Sequence, residues 1–147
     1  GWLVADLPFD EGTAMAEAAR AEHLAPIFFA APTSSDERIV RAAAASRGFL
    51  YTILRTGVTG RATELGQGAE GFLTRVRRHA GELPIAVGFG IRDATQVRAA
   101  LRHADLAIVG SALVESAHQA FARTREPARA AEAALALVDQ LAQGATP

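Results

Sequence analysis

Short apolar runs alternate along this chain with longer stretches in which apolar residues recur every three or four positions. Parallel strands buried on both faces and the helices that cross between them produce such a pattern. Five runs predict strands: Leu3 to Ala5, Ile27 to Ala30, Phe49 to Leu54, Ile85 to Phe89, and Leu106 to Val109. Between them the spacing predicts helices. The first runs from about Gly12 to His23, after which Pro26 opens the second strand without needing a ladder N–H. Ser34 or Ser35 caps the second, with Glu37 three residues after Ser34 and the alanine run ending near Ser46. The third, about Gly68 to His79, carries Phe72, Leu73 and Val76 on one side and is closed by Gly81 and Pro84. Asp93 precedes the fourth, Ser111 opens another, and Pro127 starts the last, which runs to about Ala142.

Strand followed by helix is therefore the repeating unit, and short connections force a parallel sheet with right-handed crossovers. Two α/β architectures fit. One is an open, doubly wound, five-stranded sheet, whose size suits 147 residues. The other is five-eighths of a (β/α)8 barrel, a fold that normally takes about 250 residues. Length favours the first and the placement of the glycines the second. No linker or change of composition interrupts the chain, so residues 1–147 are expected to form one domain.

Composition removes several chemistries. Fifteen basic residues against sixteen acidic ones leave a net charge of −1, so no overall field draws the chain to nucleic acid or an anionic membrane. Cysteine is absent and every basic residue is arginine, which excludes thiol catalysis, cysteine–zinc sites, Schiff-base chemistry and a phosphate-loop lysine. No apolar run approaches the roughly 18 residues of a membrane span. Residues 1–8 lack the features of a signal peptide, and a cytoplasmic location is expected.

Unusual residues gather where predicted strands end: Asp6-Leu7-Pro8, Arg55-Thr56-Gly57-Val58-Thr59-Gly60, Gly88-Phe89-Gly90 and Gly110-Ser111. Ligand sites of parallel sheets lie at that edge. A phosphate needs main-chain N–H groups at close range, and Gly90 with Gly110 and Ser111, the last at a helix start, suits that need without lysine. The same glycines would also serve as tight turns. From Thr56 to Gly68 the chain is rich in glycine, threonine and charge, which fits either a mobile cover hinged at Gly57 and Gly60 or an ordinary surface loop. Tyr51 and Phe89 would wall a planar ligand or pack in the core, the commoner use. His23, His79, His103 and His118 lack metal-ligand spacing and are expected in solvent. No serine stands in a nucleophile elbow.

In order and spacing, Leu3-Val4-Ala5-Asp6-Leu7-Pro8, Ala25-Pro26-Ile27-Phe28-Phe29, Tyr51 followed by Arg55-Thr56-Gly57-Val58-Thr59-Gly60, Gly88-Phe89-Gly90-Ile91 and Gly110-Ser111-Ala112 resemble the tryptophan synthase α-chain family. The Arg-Thr-Gly-Val-Thr-Gly element followed by Gly-Phe-Gly and Gly-Ser is the most specific part, and the resemblance runs over nearly the whole length. It implies the last five units of a (β/α)8 barrel, in a lyase that splits indole-3-glycerol phosphate into indole and glyceraldehyde 3-phosphate, without cofactor or metal, beside a pyridoxal-phosphate β-chain. By motif, Gly60, Gly90, Gly110 and Ser111 would hold the phosphate, and Tyr51, Phe89 and Phe29 would line the indole side. Arg55, Gly57 and Thr59 would belong to a closing lid, and Asp6 and Pro8 would lie near the β-chain.

Family members carry three further strands before the one that opens this sequence, and their acid–base pair, a glutamate and an aspartate, lies on the second. Neither is among these 147 residues. Each proton-transfer group contributes typically about 10² to 10⁴-fold, so these residues alone are expected to bind rather than catalyse. A non-catalytic phosphate-binding or assembly module is the alternative. Five strands of eight would also leave two open edges, through which self-association is expected.

Overall fold

The computed structural model describes residues 1–4, 7–54, 68–88 and 90–145. Among them six short strands and six helices follow in the order β1 (Trp2–Leu3), α1 (Thr13–Ala21), β2 (Pro26–Ile27), β3 (Phe29–Ala30), α2 (Asp36–Ala45), β4 (Leu50–Ile53), α3 (Ala69–Ala80), β5 (Ile85–Gly88), α4 (Ala94–Leu101), β6 (Leu106–Ile108), α5 (Ser111–Thr124) and α6 (Pro127–Ala142). Every strand pairing is parallel.

One expected strand is two. Residues 27–30 break at Phe28, leaving β2 against β1 and β3 against β4. The cause lies eighteen residues away: the buried Ser46 hydroxyl accepts the Phe28 N–H at 3.0 Å and donates to the Ala42 carbonyl at 2.8 Å. Phe28 thus spends its amide on a side chain at the end of α2, while its carbonyl still accepts the Tyr51 N–H at 3.0 Å.

Strand order distinguishes the two architectures. The run β3-β4-β5-β6 follows chain order with no reversal, whereas a doubly wound sheet reverses direction at a switch point. With right-handed crossovers, an unreversed order puts every helix on the same side. Burial agrees. Phe28, Ala30, Leu50, Leu54, Ile85 and Val87 point to the helix side and are buried against Ile39 and Ala42 of α2, Leu73 and Val76 of α3, and Val97 and Ala100 of α4. Fully burying the phenylalanine, leucine, isoleucine and valine side chains among them stabilises by about 1.5–3 kcal/mol each. Their register neighbours on the other face, Phe29, Tyr51, Ile53 and Ile108, stay half-buried, and Leu106 is 42% exposed.

Local chemistry explains the helix ends. The Ser35 hydroxyl accepts the Arg38 N–H at 3.3 Å, and the Asp93 carboxylate the Gln96 N–H at 2.8 Å, so α2 and α4 begin on side-chain caps. Ser34 is the residue that does not cap; its hydroxyl accepts the Ala31 N–H at 3.1 Å and shapes the turn leaving β3. Among the described residues no helix is long and apolar enough to cross a membrane.

Candidate functional site

Phe29 and Tyr51 are register partners on neighbouring strands, and their rings lie 5.2 Å apart at 56° on the face away from the helices. Tyr51 extends over Gly88 of the next strand, where a Cβ would collide with the phenol hydroxyl and ring. Gly88 is therefore a seat for Tyr51, a role not legible as a turn glycine. Burial pushes the Tyr51 phenol above its ordinary range, away from ionisation.

A cavity of about 290 Å³ opens at the carboxyl end of β3, lined by Pro8, Phe9, Phe29, Ala31, Arg38 and Ile53 among others. It brings Pro8 and Phe29 together. Gly110 and Ser111 do not line it. They follow β6, and Gly90 follows β5; Gly88 and Ile108 are register partners, so Gly90 and Gly110 each stand two residues beyond the same rung of adjacent strands.

The two glycines are bare for different reasons. Gly90 has φ +78°, a left-handed backbone that favours glycine. Gly110 has φ −120°, and a Cβ there would meet open space. Among the described residues, none occupies the space a Cβ at 110 would take. It is also the N-cap of α5, with no side-chain cap, and its carbonyl accepts the Val114 N–H at 3.1 Å. The preceding amides of that first turn, those of Ser111, Ala112 and Leu113, have no intrahelical acceptor to use, and the helix adds about half a positive charge at this end. The expected site residues Asp6, Arg55, Gly57, Thr59, Gly60 and Phe89 lie outside the described residues.

A larger cavity, about 380 Å³, sits at the opposite pole between α3 and α4, beside Arg77, Arg102 and Asp105. Asp105 accepts from the Arg77 guanidinium and from the Ile85 N–H at 2.7 Å, which ties the entrances of β5 and β6 together. Burial pushes its carboxyl up, but those two donors outweigh burial and hold it below the ordinary carboxylate range.

The histidines depart in part from their expected exposure. His23 and His118 are exposed, but the His79 and His103 side chains are only 23% and 22% exposed, with His79 Nε2 3.1 Å from Asp36 and His103 Nε2 4.0 Å from Glu70. Among the described residues no cluster of three or more histidines or carboxylates is placed to hold a metal ion.

A parallel strip in chain order, with helices on one side and glycine-bearing strand ends at one pole, defines a segment of a (β/α)8 barrel. The tryptophan synthase alpha chain family matches residues 1–145, and the chain belongs to that family. The tryptophan synthase alpha chain of Roseiflexus sp. (strain RS-1) is 50% identical over 120 residues, which is 82% of this chain and 46% of that protein. That of Halorhodospira halophila is 40% identical over 137 residues, 93% of this chain and 50% of that one. Among solved structures, a chain of the tryptophan synthase α2β2 complex from Pyrococcus furiosus is similar with a TM-score of 0.78 and 30% identity over 97% of this chain and 54% of that one. One from M. tuberculosis tryptophan synthase in its aminoacrylate-bound form gives 0.72 and 32% over 96% and 48%. The chain spans about half the length of the curated relatives it matches.

Proposed function

We propose that this chain is the phosphate-holding and ring-holding part of a lyase that cleaves indole-3-glycerol phosphate to indole and glyceraldehyde 3-phosphate in tryptophan biosynthesis. Gly110 carries the reading: a glycine with negative φ, at which a Cβ would meet none of the described residues, stands ahead of an uncapped 14-residue helix and leaves room for an anion over its first turn. Amides after β6 and the chain at Gly90 after β5 cradle the phosphate, with the Ser111 hydroxyl as an added donor. Phe29 and Tyr51 offer aromatic surface to the indole ring. Family resemblance alone adds Gly60 to the phosphate group, Phe89 to the ring side, Arg55, Gly57 and Thr59 to a lid, and Asp6 beside Pro8 to the contact with a β-chain. The site uses no cofactor of its own, and the protein works in the cytoplasm.

Cleavage of the carbon–carbon bond requires a proton delivered to the indole carbon and one removed from the glycerol hydroxyl. The residues described here bind and orient; the acid–base pair belongs to the family's preceding units. Titration with indole propanol phosphate tests the cradle. Gly110→Asp and Ser111→Asp should each weaken binding about 10- to 100-fold, the range of a lost charge-assisted hydrogen bond, with the circular dichroism spectrum unchanged. Equal affinity in parent and variants would remove the assignment. Supplying the three preceding strand–helix units in trans should restore indole formation. A non-catalytic binding module predicts none.

A further inference from the structure

The segment 7–12 is held from several sides. Phe9 meets the buried Phe28 edge-on, with ring centroids 5.3 Å apart at 80°, and the Arg41 guanidinium lies 4.9 Å over the Phe9 ring. Asp10 bridges two arginines of α2, with Oδ1 3.0 Å from Arg41 Nη1 and Oδ2 3.1 Å from Arg38 Nη2. The arginines stand three residues apart on one helix face, so a single carboxylate reaches both. The main chain closes on itself as well: the Glu11 and Gly12 N–H groups donate to the Pro8 carbonyl at 3.1 and 3.0 Å. Pro8 itself remains exposed at the mouth of the 290 Å³ cavity.

We infer that Asp10 is a positioning residue which, by holding Arg38 and Arg41 against this loop, presents Pro8 as a preformed docking point for the β-chain. The inference rests on the proposed reading that Pro8 meets that partner. Ordering a loop at the moment of association costs affinity, and a loop ordered beforehand avoids that cost. The clamp adds little to the fold itself, because Asp10, Arg38 and Arg41 side chains are 42%, 54% and 57% exposed and exposed ion pairs are weak. Its effect falls on the loop.

Association with a tryptophan synthase β-chain, measured by calorimetry on the full source polypeptide, tests this. Asp10→Asn and the double variant Arg38→Gln/Arg41→Gln should each bind about 3- to 10-fold more weakly, with unchanged melting temperatures and faster hydrogen exchange at the Gly12 amide. Asp10→Glu should bind within about twofold of the parent, and the parent's advantage should shrink in about 1 M salt, where screening acts within about 3 Å. A parent that binds while Asp10→Asn binds equally well, or an unchanged Gly12 exchange rate, overturns the inference and leaves the partner reading intact. Weakening by Asp10→Asn but not by the arginine pair would mean that Asp10 touches the β-chain directly, which also overturns it. A parent that fails to bind removes the partner reading and the inference together.

Discussion

Tyr51 lies over Gly88 because the neighbouring strand offers no side chain there. Gly88→Ala should displace the ring, destabilise the protein by about 1–3 kcal/mol, as overpacking does, and weaken ring-side binding. In a Gly88→Ala/Tyr51→Leu chain the stability losses should be well short of additive, since the two residues are in contact; additive losses in a double-mutant cycle measured by urea unfolding would show that they are independent. Asp105 provides a second residue-scale test. Its carboxyl is held below the usual range in the folded chain, so its stabilisation is complete above the unfolded value of about 3.9 and disappears as pH falls through the lower folded value. The stability difference between the parent and Asp105→Asn should therefore be flat from pH 7 to about 5 and narrow on acidification below about 4; a difference that grew on acidification would contradict this.

At the scale of elements, Ser46 shows how one side chain at a helix end reshapes a strand. Ser46→Ala leaves the Phe28 N–H buried without its acceptor, which should cost about 1–3 kcal/mol, read from the midpoint of denaturant unfolding. A loss under about 0.3 kcal/mol would show that Phe28 pairs elsewhere. Helix positions were largely legible beforehand. Apolar spacing places α3 and α6 to within a residue or so, and Asp93 and Pro127 mark the starts of α4 and α6, because caps and helix faces depend on residues a few positions apart. The break at Phe28 was not, since its cause is a hydrogen bond to a residue beyond the following helix. The seat at Gly88 was hidden for a similar reason: it depends on which strand pairs with which, and in what register.

Across the whole molecule, exposed apolar surface is unevenly spread. Among the described residues, and Val40 apart, the large exposed apolar side chains fall in the two outermost units: Leu3, Val4, Met15 and Leu24 at one edge, and Leu106, Val114, Phe121, Leu135 and Val138 at the other. Among the described residues β1 and β6 each pair with a single strand, and open parallel edges flanked by apolar surface recruit further chains. The isolated 147-residue chain should therefore sediment as species heavier than its 15.4 kDa; a stable monomer at micromolar concentration would show that these edges are protected.

By itself the sequence determined the alternation of strand and helix, their parallel sense, the Asp93 cap, and the glycines and serine at the strand ends, since each is written in spacings of a few residues. Only the tertiary structure decided that the helices share one side, that Phe28 divides a strand, that Tyr51 rests on Gly88, and that Asp10 grips α2. These depend on contacts between residues far apart in the chain, which strand register and burial bring together and which no local pattern specifies.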